Sequence, residues 1–140
     1  MDRLFLDANV LFSAARSLRG KIGFLFVQPN AQEWTLLSSE YAVNETRRNL
    51  ALKFPQVQAE FETLLVQVEI VAQPQNAPFE LDLPEKDRPI WHAAFAAKAT
   101  HLLTGDLKDF GKFMNRPKRS AGIVIQTVAD YLRNILEEGK

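Results

Sequence analysis

An α/β fold with a central, mostly parallel sheet is the architecture the chain predicts, on two observations. Short apolar runs alternate with longer stretches of helical periodicity, the order that parallel β-α-β units require. Two of those runs, Leu4-Phe5-Leu6 and His101-Leu102-Leu103, also stop at acids: Asp7 directly after the first, and Asp106 after Thr104-Gly105 in the second. Open α/β sheets bind ligands beyond the C-terminal ends of their strands. Two strands ending in aspartate therefore predict one shared acidic site.

Arg3 to Leu6 reads as a buried first strand. A helix is expected from Asn9 to Ser17, with Asp7 or Asn9 available to cap it. Gly20 to Val27 reads as a second helix that ends before Pro29-Asn30, and Trp34 to Leu37 as the next strand. Ser38 or Ser39 is available to cap a helix over Tyr41 to Leu52. From Pro55, the stripe Val57, Phe61, Leu64, Leu65 and Val68 predicts one more helix. A short strand at Glu69 to Val71 precedes a proline-rich loop that continues to Pro84. Asp87 with Pro89 marks a helix start, and Ile90, Trp91, Ala94, Phe95 and Ala97 give that helix its apolar face. After the His101 strand come a short helix near Leu107 to Phe113, a basic loop at Asn115 to Ser120, and a last strand at Gly122 to Ile125. Thr127 caps a final helix with Val128, Tyr131, Leu132, Ile135 and Leu136 turned inward.

The 140 residues fit a single domain spanning 1–140, and 46% apolar residues suffice for a core. No apolar run approaches the roughly 18 residues of a membrane span. The strand pattern begins at the N-terminus, so no signal peptide is expected and the cytoplasm is the expected compartment. The absence of cysteine rules out disulfides, thiolate zinc sites and cysteine nucleophiles. Seventeen basic residues balance seventeen acidic ones, so nucleic-acid binding would need a local patch. With two histidines in the chain, a bound metal is expected to have oxygen ligands.

Each acid also has a plain structural reading. Asp7, Asp106 and Asp109 sit where helix caps occur, and Asp87 is the plainest cap of all. Glu45 lies mid-helix on the face of Ala42, Asn49 and Leu52, where pairing with Arg48 or Asn49 would account for it. Taken together the acids say more. Clustered carboxylates raise one another's pKa unless a positive charge sits among them. Mg²⁺ or Mn²⁺ supplies that charge through oxygen-only ligation, and can acidify a bound water and neutralise charge on a phosphodiester.

In that order, four pieces resemble the PIN-domain ribonucleases, and among them the stand-alone, toxin-like (VapC-like) members. They are Leu4-Phe5-Leu6-Asp7-Ala8-Asn9, Val43-Asn44-Glu45-Thr46, Asp87-Arg88-Pro89-Ile90, and Leu103-Thr104-Gly105-Asp106 with Asp109-Phe110. The likeness extends from Arg3 to about Thr127. It implies a compact, three-layer α/β/α sandwich with a central, mostly parallel sheet (PIN-like), in which Asp7, Glu45, Asp87 and Asp106 converge on Mg²⁺ or Mn²⁺ and hydrolyse RNA. It further implies Asp109 as an auxiliary ligand, Thr104 as a polar support and Asn9 as a neighbour of the first acid. An antitoxin protein and a homodimer are the partners it implies. On this reading Asp7, Asp87 and Asp106 hold one or two ions, and Glu45 ligates through water or assists deprotonation.

Lys108, Lys112, Arg116, Lys118 and Arg119 crowd the loop after the acidic strand, with Phe110 and Phe113 between them, and offer a phosphate patch or a solvated loop. Arg47 and Arg48 could reach phosphate or pair with nearby acids. His92 and His101 are given no role, and Trp34 and Trp91 read as core or interface anchors. The Gly20 to Val27 and Val57 to Val68 helices offer a dimer or antitoxin surface, or core packing. The rival from another class is a catalytically inert PIN-like binding module acting through a protein or RNA partner. An aspartyl phosphatase is disfavoured by Asn9, which stands where a second acid is needed. A dinucleotide-binding module is disfavoured because no Gly-x-Gly-x-x-Gly follows the first strand.

Overall fold

A computed structural model of the chain describes residues 1–26 and 33–138. Five parallel strands form one sheet: β1 (Asp2–Leu6), β2 (Trp34–Ser39), β3 (Glu69–Val71), β4 (His101–Leu103) and β5 (Val124–Gln126). Their order is β3-β2-β1-β4-β5. The chain builds outward from β1 in one direction through β3, then returns to the other side of β1 with β4. The point where strand order reverses therefore lies between β1 and β4, where such sheets open a ligand crevice. Seven α-helices flank the sheet among the described residues: α1 (Ala8–Arg16), α2 (Lys21–Phe26), α3 (Glu40–Lys53), α4 (Gln58–Leu64), α5 (Arg88–Ala96), α6 (Leu107–Phe110) and α7 (Val128–Glu138).

The central strands are buried because their side chains are apolar on both faces. Leu4, Phe5, Leu6, Leu37, Leu102, Leu103 and Ile125 have no exposed surface. Trp91 of α5 is equally enclosed, with its indole N–H donating to the Phe79 carbonyl at 2.7 Å. Edge strand β3 is covered less, and Ile70 remains 40% exposed. Within α2, position 23 demands glycine because the helix packs on the preceding turn, where a Cβ would meet the Leu18 carbonyl oxygen at 1.9 Å.

Several expected boundaries move. Strand β2 runs on to Ser39, whose hydroxyl then caps α3 by accepting from the Ala42 N–H at 3.2 Å. Ser38 takes no part in the cap; it donates to the Leu6 carbonyl at 2.8 Å and ties β2 to β1. The single helix expected from Pro55 is broken into a 3₁₀ turn (Pro55–Val57), α4, and a second 3₁₀ turn (Leu65–Gln67). It still buries Phe61, Leu64 and Val68. The last strand begins at Val124 instead of Gly122, since Gly122 has a φ of +86°. Leu136 is not inward: it is 69% exposed, while Tyr131 of the same helix is buried. Of the expected second helix, Val27 lies outside the described residues; Leu25 and Phe26 join the core, and Phe24 faces out. No helix among the described residues is long and apolar enough to cross a membrane.

Truncating a wholly enclosed residue of the central strands should be costly. Leu102→Ala is expected to lower unfolding free energy by about 2–5 kcal/mol, read from urea melts, with Leu136→Ala as an exposed control expected within about 0.5 kcal/mol of wild type.

Candidate active site

Strand β1 ends at Leu6, and the backbone N–H of Asp7 still donates to the Leu103 carbonyl of β4 at 3.1 Å. The acid is thus fixed at the strand end before α1 begins. One of its oxygens, Oδ1, accepts from the Ala8 N–H at 2.7 Å, so the capping role expected of Asp7 is real. The other, Oδ2, accepts from the Thr104 hydroxyl at 2.7 Å and from the Asn9 amide at 3.1 Å. Thr104 also accepts from the Asp106 N–H at 3.0 Å, and Asn9 Oδ1 from the Gly105 N–H at 2.8 Å. Five polar groups from two strand ends thereby lock one another. Asp106 caps α6 by accepting from the Asp109 N–H at 3.0 Å.

Asp87 departs from expectation. It stands at the N-cap position of α5, yet its side chain makes no capping hydrogen bond. The residue is buried, and its Oδ2 has no hydrogen-bond partner among the described residues. A buried carboxylate oxygen without a donor is costly unless something positive meets it. Asp87, Asp106 and Asp109 bring one carboxylate oxygen each to within 4.8 Å of one another. Glu45, half-buried on α3, is likewise free of the pairing proposed for it, because no ion pair to Arg48 or hydrogen bond to Asn49 forms among the described residues. Asp7, Glu45, Asp87 and Asp106 all line one cavity of about 210 Å³.

The electrostatics follow from this crowding. Burial, reinforced by the charges of Glu45 and Asp106, pushes the Asp7 carboxyl up to about 6 against the pull of its hydrogen bonds. Burial first, and then a proton shared with Asp109, pushes Asp87 up to about 7. Asp109 is lowered as the acceptor of that hydrogen bond. An oxygen-only set with one buried acceptor unpartnered and two carboxyls unwilling to ionise fits a hard divalent cation. Asp87, Asp106 and Asp109 are the closest-set oxygens for it.

The chain superposes on one from the VapBC2 structure of Rickettsia felis, bound to a DNA fragment from their promoter, with TM-score 0.67 and 19% identity over 89% of this chain and 98% of that one. It superposes on one from VapBC-1 of nontypeable Haemophilus influenzae with TM-score 0.63 and 17% identity, over 91% and 98% of the two chains. The Mycobacterium tuberculosis VapC20, a sarcin-ricin loop cleaving toxin, gives TM-score 0.54 and 10% identity over 75% and 91%. The chain has the PIN-like fold of VapC. No family model matches the sequence, and no curated protein does either.

Within that VapC fold the cations fall differently from expectation. Arg47 is taken up by Glu62, through Nη2 at 2.8 Å and Nε at 3.0 Å, on the face where α3 meets α4. Lys112 bridges to Asp82 at 2.5 Å, and Arg119 donates to the Lys112 carbonyl. Arg48 and Lys118 are exposed, and none of these five lines the acid cavity. Phe110 and Phe113 are buried and present no stacking surface. The cations that do line the cavity are Lys53 and Lys86. Lys86 Nζ lies 3.5 Å from Asp109 Oδ2, and the nearby charge of Asp87 and then Asp109 raises its pKa. Both lysines were missed by motif reasoning, though signals existed: Glu45, Asn49 and Lys53 are spaced by four on one helical face, and Lys86 directly precedes Asp87.

The raised Asp7 pKa has a definite sign. In the unfolded chain the group releases its proton near 3.8, whereas the folded chain holds it to about 6. The contribution to stability is therefore present at low pH and lost as pH rises through about 6. Metal-free protein is expected to melt at lower temperature at about pH 8 than at about pH 5, with Asp7 contributing on the order of 1 kcal/mol of the difference. Asp7→Asn should flatten the profile, and added Mn²⁺ should stabilise most at the alkaline end. A wild-type profile as flat as the mutant's would count against burial as the cause.

Proposed function

We propose that this chain is a metal-dependent endoribonuclease, the toxin of a toxin–antitoxin pair, acting on RNA at the acidic cavity. The observation that carries the reading is that Asp7, Glu45, Asp87 and Asp106, drawn from four separate stretches of sequence, line one cavity. Support also comes from the fold shared with VapC20, which cleaves the sarcin-ricin loop, and with the VapBC structures. Asp87, Asp106 and Asp109 would hold Mg²⁺ or Mn²⁺, with Asp7 and Glu45 on the same cavity wall. Such an ion, when bound, supplies an acidified water and neutralises charge on the phosphodiester. Asp7 Oδ2 keeps its position through Thr104 and Asn9. Glu45 has no competing ion pair among the described residues and serves as acceptor for the proton of the attacking water. Lys53 and Lys86 draw RNA phosphate toward a cavity that its acids would otherwise make repellent.

An antitoxin protein is the proposed partner, and a homodimer the proposed assembly, in the cytoplasm. Phe24 at 55% and Val66 at 87% exposure leave apolar surface for such contacts. Co-expression with the product of the neighbouring reading frame, followed by light scattering, measures both.

Asp7→Asn protein, folded by circular dichroism, is expected to lose RNA cleavage in Mg²⁺ or Mn²⁺ by at least about 100-fold. Cleavage at the wild-type rate would defeat the reading. RNA binding should weaken with salt, and the doubly substituted Lys53→Gln, Lys86→Gln protein should flatten the log–log slope by roughly 0.7 per lysine. Neutralising Lys118 and Arg119 is expected to change that slope less. An inert binding module would show neither cleavage nor stabilisation by Mn²⁺.

A further inference from the structure

The acid cavity has a neighbour. Asn9 and Asp106 line both it and a second cavity of about 610 Å³, which opens between α1, the β4 strand end and the start of α7. Its chemistry differs sharply from the first. Ser13 and Thr127 bring hydroxyls, Val10, Ile22 and Val128 bring branched aliphatic surface, and Ala129 of α7 also lines the wall, whereas the buried Thr104 hydroxyl is engaged by Asp7, Asn9 and the Asp106 N–H. Asp106, shared with the acid cavity, is the sole charged residue in its lining among the described residues. Thr127 Oγ1 already accepts from the Asp130 N–H at 3.0 Å, so its own proton is left to donate. Ser13 is exposed on α1, with no side-chain partner among the described residues.

We propose that this second cavity is a nucleoside subsite: it takes the base and ribose of the nucleotide adjoining the phosphate held over the acids. The inference rests on the ribonuclease reading and adds where the substrate strand lies. A wall with no cationic side chain and the Asp106 carboxylate on it disfavours phosphate, whereas hydroxyls beside aliphatic surface suit the edge and face of an unstacked base and its sugar. The volume lies within the roughly 300–1,000 Å³ of small-molecule sites, ample for one nucleoside. Continuity through Asn9 and Asp106 sets the two subsites side by side, as neighbouring units of one strand require. Ordering the strand here would also fix which phosphate meets the acids.

Two measurements on the full chain test this. In the first, adenosine, guanosine, cytidine and uridine are titrated into metal-free protein and followed by amide shifts. Shifts at Gly105, Ser13 and Ala129 that vanish in Ser13→Trp protein are expected. Silence with all four nucleosides overturns the subsite, including the case in which the cavity serves an apolar side chain of a protein partner. This arm needs no catalysis, so its failure is distinct from failure of the ribonuclease reading. In the second, wild type is compared with Ser13→Trp and Ala129→Trp, which fill the cavity from opposite walls, on an oligoribonucleotide and on bis(p-nitrophenyl) phosphate in Mn²⁺. Loss of about tenfold or more in kcat/KM on RNA, with the small diester unaffected, is expected. Equal loss on both substrates, or undiminished RNA cleavage by both variants, overturns it.

Discussion

The 2.7 Å hydrogen bond from the Thr104 hydroxyl to Asp7 Oδ2 joins residues 97 apart in sequence and fixes the chemistry of the cavity. It exists because β1 and β4 are hydrogen-bonded neighbours in register, Leu6 opposite Leu103, so that the next residues of both strands leave the sheet together. Parallel pairing lets two strand ends present polar groups on the same side, which an antiparallel pair would send to opposite ends of the sheet. Asn9 then completes the lock by spanning Asp7, Thr104 and Gly105. The polar cluster is thus a consequence of strand order, and strand order is held by the leucines and Phe5 beneath it.

That lock works against the electrostatics it creates. Holding Asp7 buried beside Glu45 and Asp106, and Asp87 beside Asp109, costs stability that the apolar core must supply. Two hydrogen bonds from Thr104 and Ala8 moderate Asp7, but nothing comparable reaches Asp87 Oδ2. A fold optimised for stability alone would place Asn at one of these positions. That electrostatic cost is what the proposed divalent ion would offset.

How much of this was legible in sequence depended on whether a signal was local. Leu4-Phe5-Leu6-Asp7 and Leu103-Thr104-Gly105-Asp106 announce strands ending in acids, and the β-α alternation announces the parallel sheet. Strand order does not follow from alternation, yet it decides that Asp7 and Asp106 share a cavity. Asp87 misled for a local reason: Asp followed closely by Pro is the usual mark of a capped helix start, and here the cap position is filled while the side chain turns elsewhere. Where the cations pair was not legible either, because density of charge in sequence says nothing about which acids lie opposite. Asp82 and Glu62 claim Lys112 and Arg47 across gaps of 30 and 15 residues.

This pairing bears on how a chain with zero formal net charge would attract the polyanion that the proposed function requires. At the periphery, Arg3 with Glu69, Arg47 with Glu62, Lys112 with Asp82 and Arg133 with Asp130 cancel in place. Exposed pairs of this kind contribute little to stability and little to the distant field, since salt screens them within about 8–10 Å. The unequal balance is at the cavity, where four acids face Lys53 and Lys86. Left to itself that wall repels phosphate. A divalent ion among Asp87, Asp106 and Asp109 would cancel two of those negative charges and, with Lys53 and Lys86, bring the wall close to neutral. On the ribonuclease reading, RNA affinity and ion occupancy would thereby be coupled through the same carboxylates, with no movement of the sheet required.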